Sequence, residues 1–214
     1  MSRVLVVGSA NTDFTVYTPR LPRPNETVLG ENYSRSFGGK GANQAMASLR
    51  AGAEVTLVAK IGTDADGAAL RSHLIQSGLP AEGLKQELES AAGVALIVVD
   101  ATGNNQIVVA PGSNARLAEA DVEPWVVAMQ PGDVLLAQLE TPWPAVERAL
   151  VLAKERGMCT ILNPAPYMEL PAHIYPYLDF ITPNEHELAG RAGMDGIHTL
   201  DQARQAAQSL QPKG

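Results

Sequence analysis

The sequence predicts an α/β protein: a Rossmann-like, mostly parallel sheet with helices on both faces, and a small β-sheet projecting from it. Three observations carry this expectation. From about residue 117 onward, short β-branched runs alternate with helix-length segments, the pattern of βαβ units. Two stretches, 13–37 and 93–109, alternate polar and apolar residues like half-exposed strands. Polar residues fall just beyond the ends of the apolar runs, where parallel sheets gather ligands.

Taken in order, Arg3 to Val7 reads as a buried strand feeding the loop Gly8-Ser9-Ala10-Asn11-Thr12-Asp13. Asp13 to Tyr17 reads as a half-exposed strand. Residues 18–25 hold three prolines and can form neither helix nor central strand. Glu26 to Phe37 is strand-like and leads into Gly38-Gly39-Lys40-Gly41, after which Ala42 to Ala51 reads as a helix stopped by Gly52. A strand over Glu54–Ile61 and a helix over Asp66–Ser77, ended by Gly78, follow. Gly93 to Val99 and Gln106 to Val109 flank a turn rich in Asp, Gly and Asn, a hairpin able to pair with the first projecting strands. Beyond it come a helix at 121–129, a strand at 134–139, a helix at 144–156 ended by Gly157, and strands at 160–162 and 180–182. A helix begins near Glu185. The last one, Leu200 to Leu210, carries a capping-box pairing of Thr199 with Gln202.

Composition narrows the function classes. A chain of 214 residues that is 45% hydrophobic and 18% charged suits one substantial core. A net charge of −7 with no Lys/Arg cluster argues against a nucleic-acid partner. Cys159 is the single cysteine, so no internal disulfide forms, and its apolar setting suits a small buried hydrophobe. No apolar run is long enough to span a bilayer, and the N-terminus opens on a strand without a signal sequence. No membrane partner and a cytoplasmic location are therefore expected. His73, His173 and His198 are scattered without metal-ligand spacing, and His186 has no nucleophile to serve. Trp125 and Trp143 read as packing anchors.

The chemistry gathers at the strand ends. There stand Asn11 and Asp13, then Glu140, then Asn163 with Pro164-Ala165-Pro166, then Asn184-Glu185-His186-Glu187. A lone Asn or Asp after a strand is usually a turn former; several ends converging on one sheet edge indicate a site. The glycine turn adds backbone able to approach a ligand, a helix N-terminus, and Lys40 and Asn43 at its mouth. It is neither a P-loop, since Gly41 follows Lys40, nor a dinucleotide fingerprint, since Gln44 stands where the last glycine belongs. A dinucleotide-dependent oxidoreductase is correspondingly weak. A floor for a polyhydroxy ligand fits better.

These pieces in this order resemble the ribokinase branch of the ribokinase/pfkB carbohydrate-kinase family. The matching stretches are Gly8 to Asp13, Gly38 to Ala45, Gly93 to Ile97, Gln138 to Pro142, Asn163 to Pro166 and Thr182 to Glu185. The resemblance implies a ribokinase-like fold and phosphoryl transfer from ATP to a primary hydroxyl of ribose. Fructokinases and nucleoside kinases share much of the scaffold and stay open as alternatives. It further implies that Asn11, Thr12, Asp13, Gly39, Lys40, Gly41, Ala42, Asn43 and Glu140 form the sugar site. Asn184 would face the ATP phosphates, and Glu187 would help hold Mg²⁺ and its waters. Residues 13–37 and 93–109 would form a lid that pairs with a second subunit's lid, giving a homodimer.

The sequence also departs from that family. The Gly-Ala-Gly-Asp element that carries the catalytic base does not occur in it. The base is expected beyond Gly214, with the rest of the ATP site and a monovalent-cation (K⁺) loop of the complete protein. Residues 1–214 thus read as one truncated ribokinase-like domain lacking the C-terminal part of the fold, and inactive by itself. A non-catalytic remnant that binds sugar or dimerises through its lid is the alternative of a different class.

Overall fold

The computed structural model describes residues 3–210. Its main sheet has six parallel strands, β1 (Arg3–Val7), β4 (Glu54–Gly62), β5 (Leu84–Glu87), β8 (Val134–Ala137), β9 (Cys159–Leu162) and β10 (Phe180–Ile181), in the order β10-β9-β8-β1-β4-β5. Its central strand β1 is buried on both faces, which is why it reads as an unbroken apolar run. Leu5 and Val7 point into one core and Val6 into the other. The first core is filled from α3 (Glu119–Ala128) and α4 (Trp143–Glu155). The second is filled from α1 (Lys40–Arg50) and α2 (Ala65–Gln76). The chain leaves β1 toward β4 and later returns to β8 on the opposite side. The crevice at the carboxyl ends of β1 and β8 is therefore the topological switch point.

The two projecting stretches do pair. β2 (Asn11–Thr18) lies antiparallel to β3 (Asn32–Gly38) and parallel to β6 (Gly93–Asp100), which lies antiparallel to β7 (Asn105–Ala110). Register places Asn11 opposite both Gly38 and Gly93, so the base of this small sheet sits against the switch point. Arg35 on β3 stacks on Phe37 at 5.4 Å and pairs with Asp66 of α2 at 2.5 Å, tying the sheet to the main body.

Several expected boundaries shift. Residues 26–31 are not strand. The proline-rich loop extends through them, closed by Arg20 and Arg23 N–H on the Glu26 carboxylate. β5 went unpredicted because Leu84 is its only buried residue, so no hydrophobic alternation announces it. β8 stops at Ala137, two residues early, because the Leu139 N–H leaves the ladder for the Ala165 carbonyl. Cys159 is half-buried rather than buried, and burial raises its thiol pKa. α5 (Glu185–Ala192) and α6 (Leu200–Leu210) pack on each other, and Thr199 and Gln202 form the expected reciprocal cap.

Candidate functional site

The glycine turn is laid directly onto the loop after β1. Gly39 caps α1 with φ of 90°, a conformation side chains disfavour, and a Cβ there would lie 2.8 Å from Ala10 Cα. At Gly41 a Cβ would lie 2.7 Å from the Ser9 backbone. Two backbones in contact leave no space for side chains, so the glycines are a packing requirement as much as a turn.

Close packing changes what the helix end can do. The sequence suggests free amides there for a ligand; in the structure they are taken. Glu140 Oε2 accepts from Lys40 N–H at 3.0 Å and from Ser9 Oγ at 2.5 Å. Ser9 Oγ accepts in turn from Gly41 N–H at 3.4 Å, and the Ser9 carbonyl accepts from Ala42 N–H at 2.8 Å. The Glu140 carboxylate is thus the anion at the positive end of α1. The backbone amides at that end are therefore not vacant for a phosphate. Ala42 is packed in the core and supports the floor from beneath, with no polar group free for a ligand.

Around this floor stand the other expected residues. Asp13 is half-buried, and burial, then the nearby Glu140 charge, pushes its carboxyl above the usual range. Its Oδ1 and the Oγ1 of Thr12 are buried with no hydrogen-bond partner among the described residues. Buried polar atoms are rarely left so. Lys40 Nζ stands 3.9 Å from Glu140 Oε1, and Asn43 is exposed at the rim. Asn11 is buried, and its Oδ1 accepts from Asn114 Nδ2 at 2.7 Å.

Asn184 and Glu187 form a separate group. Asn184 Oδ1 accepts from Glu187 N–H at 2.8 Å, while the Glu187 carboxylate accepts from Asn184 N–H at 2.9 Å and Nδ2 at 3.1 Å. This capping box starts α5. Asn163 at the end of β9 donates to the Thr182 carbonyl at 2.8 Å and orders that same edge. No group of three or more His, Cys, Asp or Glu residues among those described could by itself cage a metal ion.

Sequence reasoning missed Ser9, Gln44, Gln138 and Asn114. Ser9, Gln44 and Gln138 lay inside stretches already singled out, but no role was assigned to them. Gln138 is fully buried and donates to Gln44 Oε1 at 2.6 Å, a link across 94 residues that no local pattern reveals. A cavity of about 560 Å³ lies elsewhere, between β10 and α6. It is lined mainly by apolar side chains such as Ile181, Leu200 and Leu210 and lacks the convergent polar groups of a substrate site.

Fold and site together define a class: an α/β protein with acidic and amide side chains gathered at the switch point of its sheet. The profile of the pfkB family of carbohydrate kinases matches residues 1–214, and the chain belongs to that family. It is 37% identical over 209 residues to a ribokinase of Haemophilus influenzae, covering 98% of this chain and 68% of that protein. It is 39% identical over 196 residues to a bifunctional ribokinase/ribose-5-phosphate isomerase A of Fructilactobacillus sanfranciscensis, covering 91% of this chain and 36% of the relative. Among solved structures, the Arabidopsis thaliana ribokinase complexed with ribose and ATP superposes with a TM-score of 0.85 at 27% identity, covering 100% of this chain and 70% of the other. The chain thus spans between about one-third and about two-thirds of these relatives' lengths.

Proposed function

We propose that this chain supplies the sugar-binding part of an ATP-dependent kinase that phosphorylates a primary hydroxyl of ribose. One observation carries the reading: Asp13 presents at the switch point a buried carboxylate oxygen with no partner among the described residues, two residues from Asn11 and near Glu140, which Lys40 Nζ approaches to 3.9 Å. A carboxylate accepts hydrogen bonds from adjacent hydroxyls, and an ammonium or amide donates to their oxygens, which is the chemistry of polyol recognition. A solved relative holding ribose and ATP supports that choice of ligands.

In this reading Asn11, Asp13, Lys40, Asn43 and Glu140 bind and orient the sugar, and Thr12, Gly39, Gly41 and Ala42 shape its floor. Asn184 lies toward the ATP side. Mg²⁺ would neutralise charge on the transferring phosphoryl group. Glu187 would help hold that ion and its waters: each of its oxygens accepts one hydrogen bond from Asn184 and keeps a further lone pair. The base that takes the hydroxyl proton is placed outside residues 1–214, since no Gly-Ala-Gly-Asp element occurs in them. The small sheet, over 13–37 and 93–109, is read as a lid. Its exposed Val16, Tyr33, Leu96 and Ile107 support pairing with a second copy.

Calorimetry with ribose tests the reading. Millimolar or tighter binding that disappears in Asp13→Ala is expected, and a titration without heat refutes it. Fructose and nucleosides in the same experiment decide among acceptors. A coupled ADP assay on the chain separates binding from phosphoryl transfer.

A further inference from the structure

We infer that Asn114, a residue outside every expected site stretch, is a positioning residue that fixes which end of the Asn11 amide faces the pocket; this rests on the sugar-binding reading above.

Asn114 lies in the short 3₁₀ turn Gly112–Arg116 that follows the small sheet, and is 1% exposed. Its three contacts leave one consistent orientation. Ala10 N–H can only donate, and it lies 2.9 Å from Asn114 Oδ1. The Ala10 carbonyl can only accept, and it lies 3.2 Å from Asn114 Nδ2. An amide's two ends are assigned by such one-way partners. The remaining Nδ2 hydrogen points at Asn11, 2.7 Å away, and that atom must be an acceptor, Oδ1. The Asn11 Nδ2 group is then left for the ligand, with no hydrogen-bond partner among the described residues. Asn11 can only donate toward the sugar, beside an Asp13 that accepts.

Gly93 supports the same arrangement independently. A Cβ at that position would sit 2.1 Å from Asn114 Nδ2 and 2.3 Å from Asn11 Oδ1, so a side chain on β6 cannot coexist with this bridge. Asn114 also ties the segment that ends the small sheet to the loop after β1. Movement of the one is thereby coupled to the donor presented by the other.

Side-chain amide hydrogen exchange on the 214-residue chain without sugar is the first test. The Asn114 amide protons should exchange far more slowly than those of Asn11. Protection of Asn11 with a fast-exchanging Asn114 would overturn the inference. A double-mutant cycle in ribose binding is the second. Asn114→Ala should weaken ribose affinity about tenfold, the scale of one misdirected hydrogen bond, and have no further effect on an Asn11→Ala background. An equal loss on both backgrounds would show a general structural role and overturn it. If the unmodified chain gives no heat with ribose, the sugar-binding reading fails, and the exchange pattern alone decides whether Asn114 orients Asn11.

Discussion

Asp13→Asn should make the free protein more stable while disabling its pocket. In the folded state burial and the Glu140 charge raise the Asp13 carboxyl above its ordinary value of 3.8. A raised pKa means the folded chain holds its proton where the unfolded chain has lost it. Stability contributed by the protonated form is present below the unfolded pKa and is lost as pH rises through the folded value. At pH 7 the ionised Asp13 is therefore a liability. The liability is the desolvation of the ionised carboxylate and its repulsion from Glu140, and the half-exposure of Asp13 keeps it to about 1 kcal/mol. Asparagine removes the charge, so a gain of about 1 kcal/mol and a Tm rise of about 2–4 °C are expected for a chain this long. The gain should vanish at pH values below the ordinary carboxylate range. Ribose affinity should fall by about 10- to 100-fold, the loss of a charge-assisted acceptor. Thermal melts from pH 2.5 to 8 and ribose calorimetry measure both arms. An Asn variant that melts below wild type at pH 7 without sugar, or that binds ribose equally well, would refute the reasoning.

Three further outcomes follow from individual contacts. Gly38→Ala puts a Cβ 2.1 Å from Asp13 Oδ2, so calorimetry should show ribose affinity reduced about tenfold or more, with about 1–2 kcal/mol of stability lost to overpacking. Asn184→Ala removes the N-cap of α5 and should cost about 1 kcal/mol, lowering Tm by about 2–4 °C in a melt. Burial alone would raise the Asp133 pKa, but hydrogen bonds from Gln130 N–H, Arg3 N–H and the Arg3 guanidinium outweigh it and hold the pKa below 3.8. Its contribution is present above the unfolded value and lost as pH falls through the folded one. Asp133→Asn should therefore cost about 1–2 kcal/mol at pH 7, with urea melts of the two proteins converging at low pH.

The alternating elements and the two projecting stretches were legible in the sequence because each rests on a local signal. A β-branched run, a glycine after a helix or an Asn after a strand follows from backbone sterics within a few residues. Asn11, Asp13 and Glu140 were named from strand ends and Lys40 from the glycine turn, and the structure sets Glu140 close to both Asp13 and Lys40. Helix boundaries moved by a residue or two, and β5 escaped because its pattern has one buried member.

Chain partnership was decided only by the tertiary structure. The sequence presents the start of α1 as a set of free amides, yet Glu140, 100 residues away from Lys40, and Ser9 occupy them. The carboxylate of Asp13 looks like any loop acid until packing deprives one oxygen of both water and partner. Asn114 carries no motif, and its importance comes from meeting Ala10 and Asn11 across more than a hundred residues. Residue types and local geometry are encoded over short spans, so the sequence by itself determined which polar groups stand at the strand ends and the glycine turn. Hydrogen-bond satisfaction and desolvation depend on what folds against each group, and the tertiary structure therefore decided which of those groups remain free.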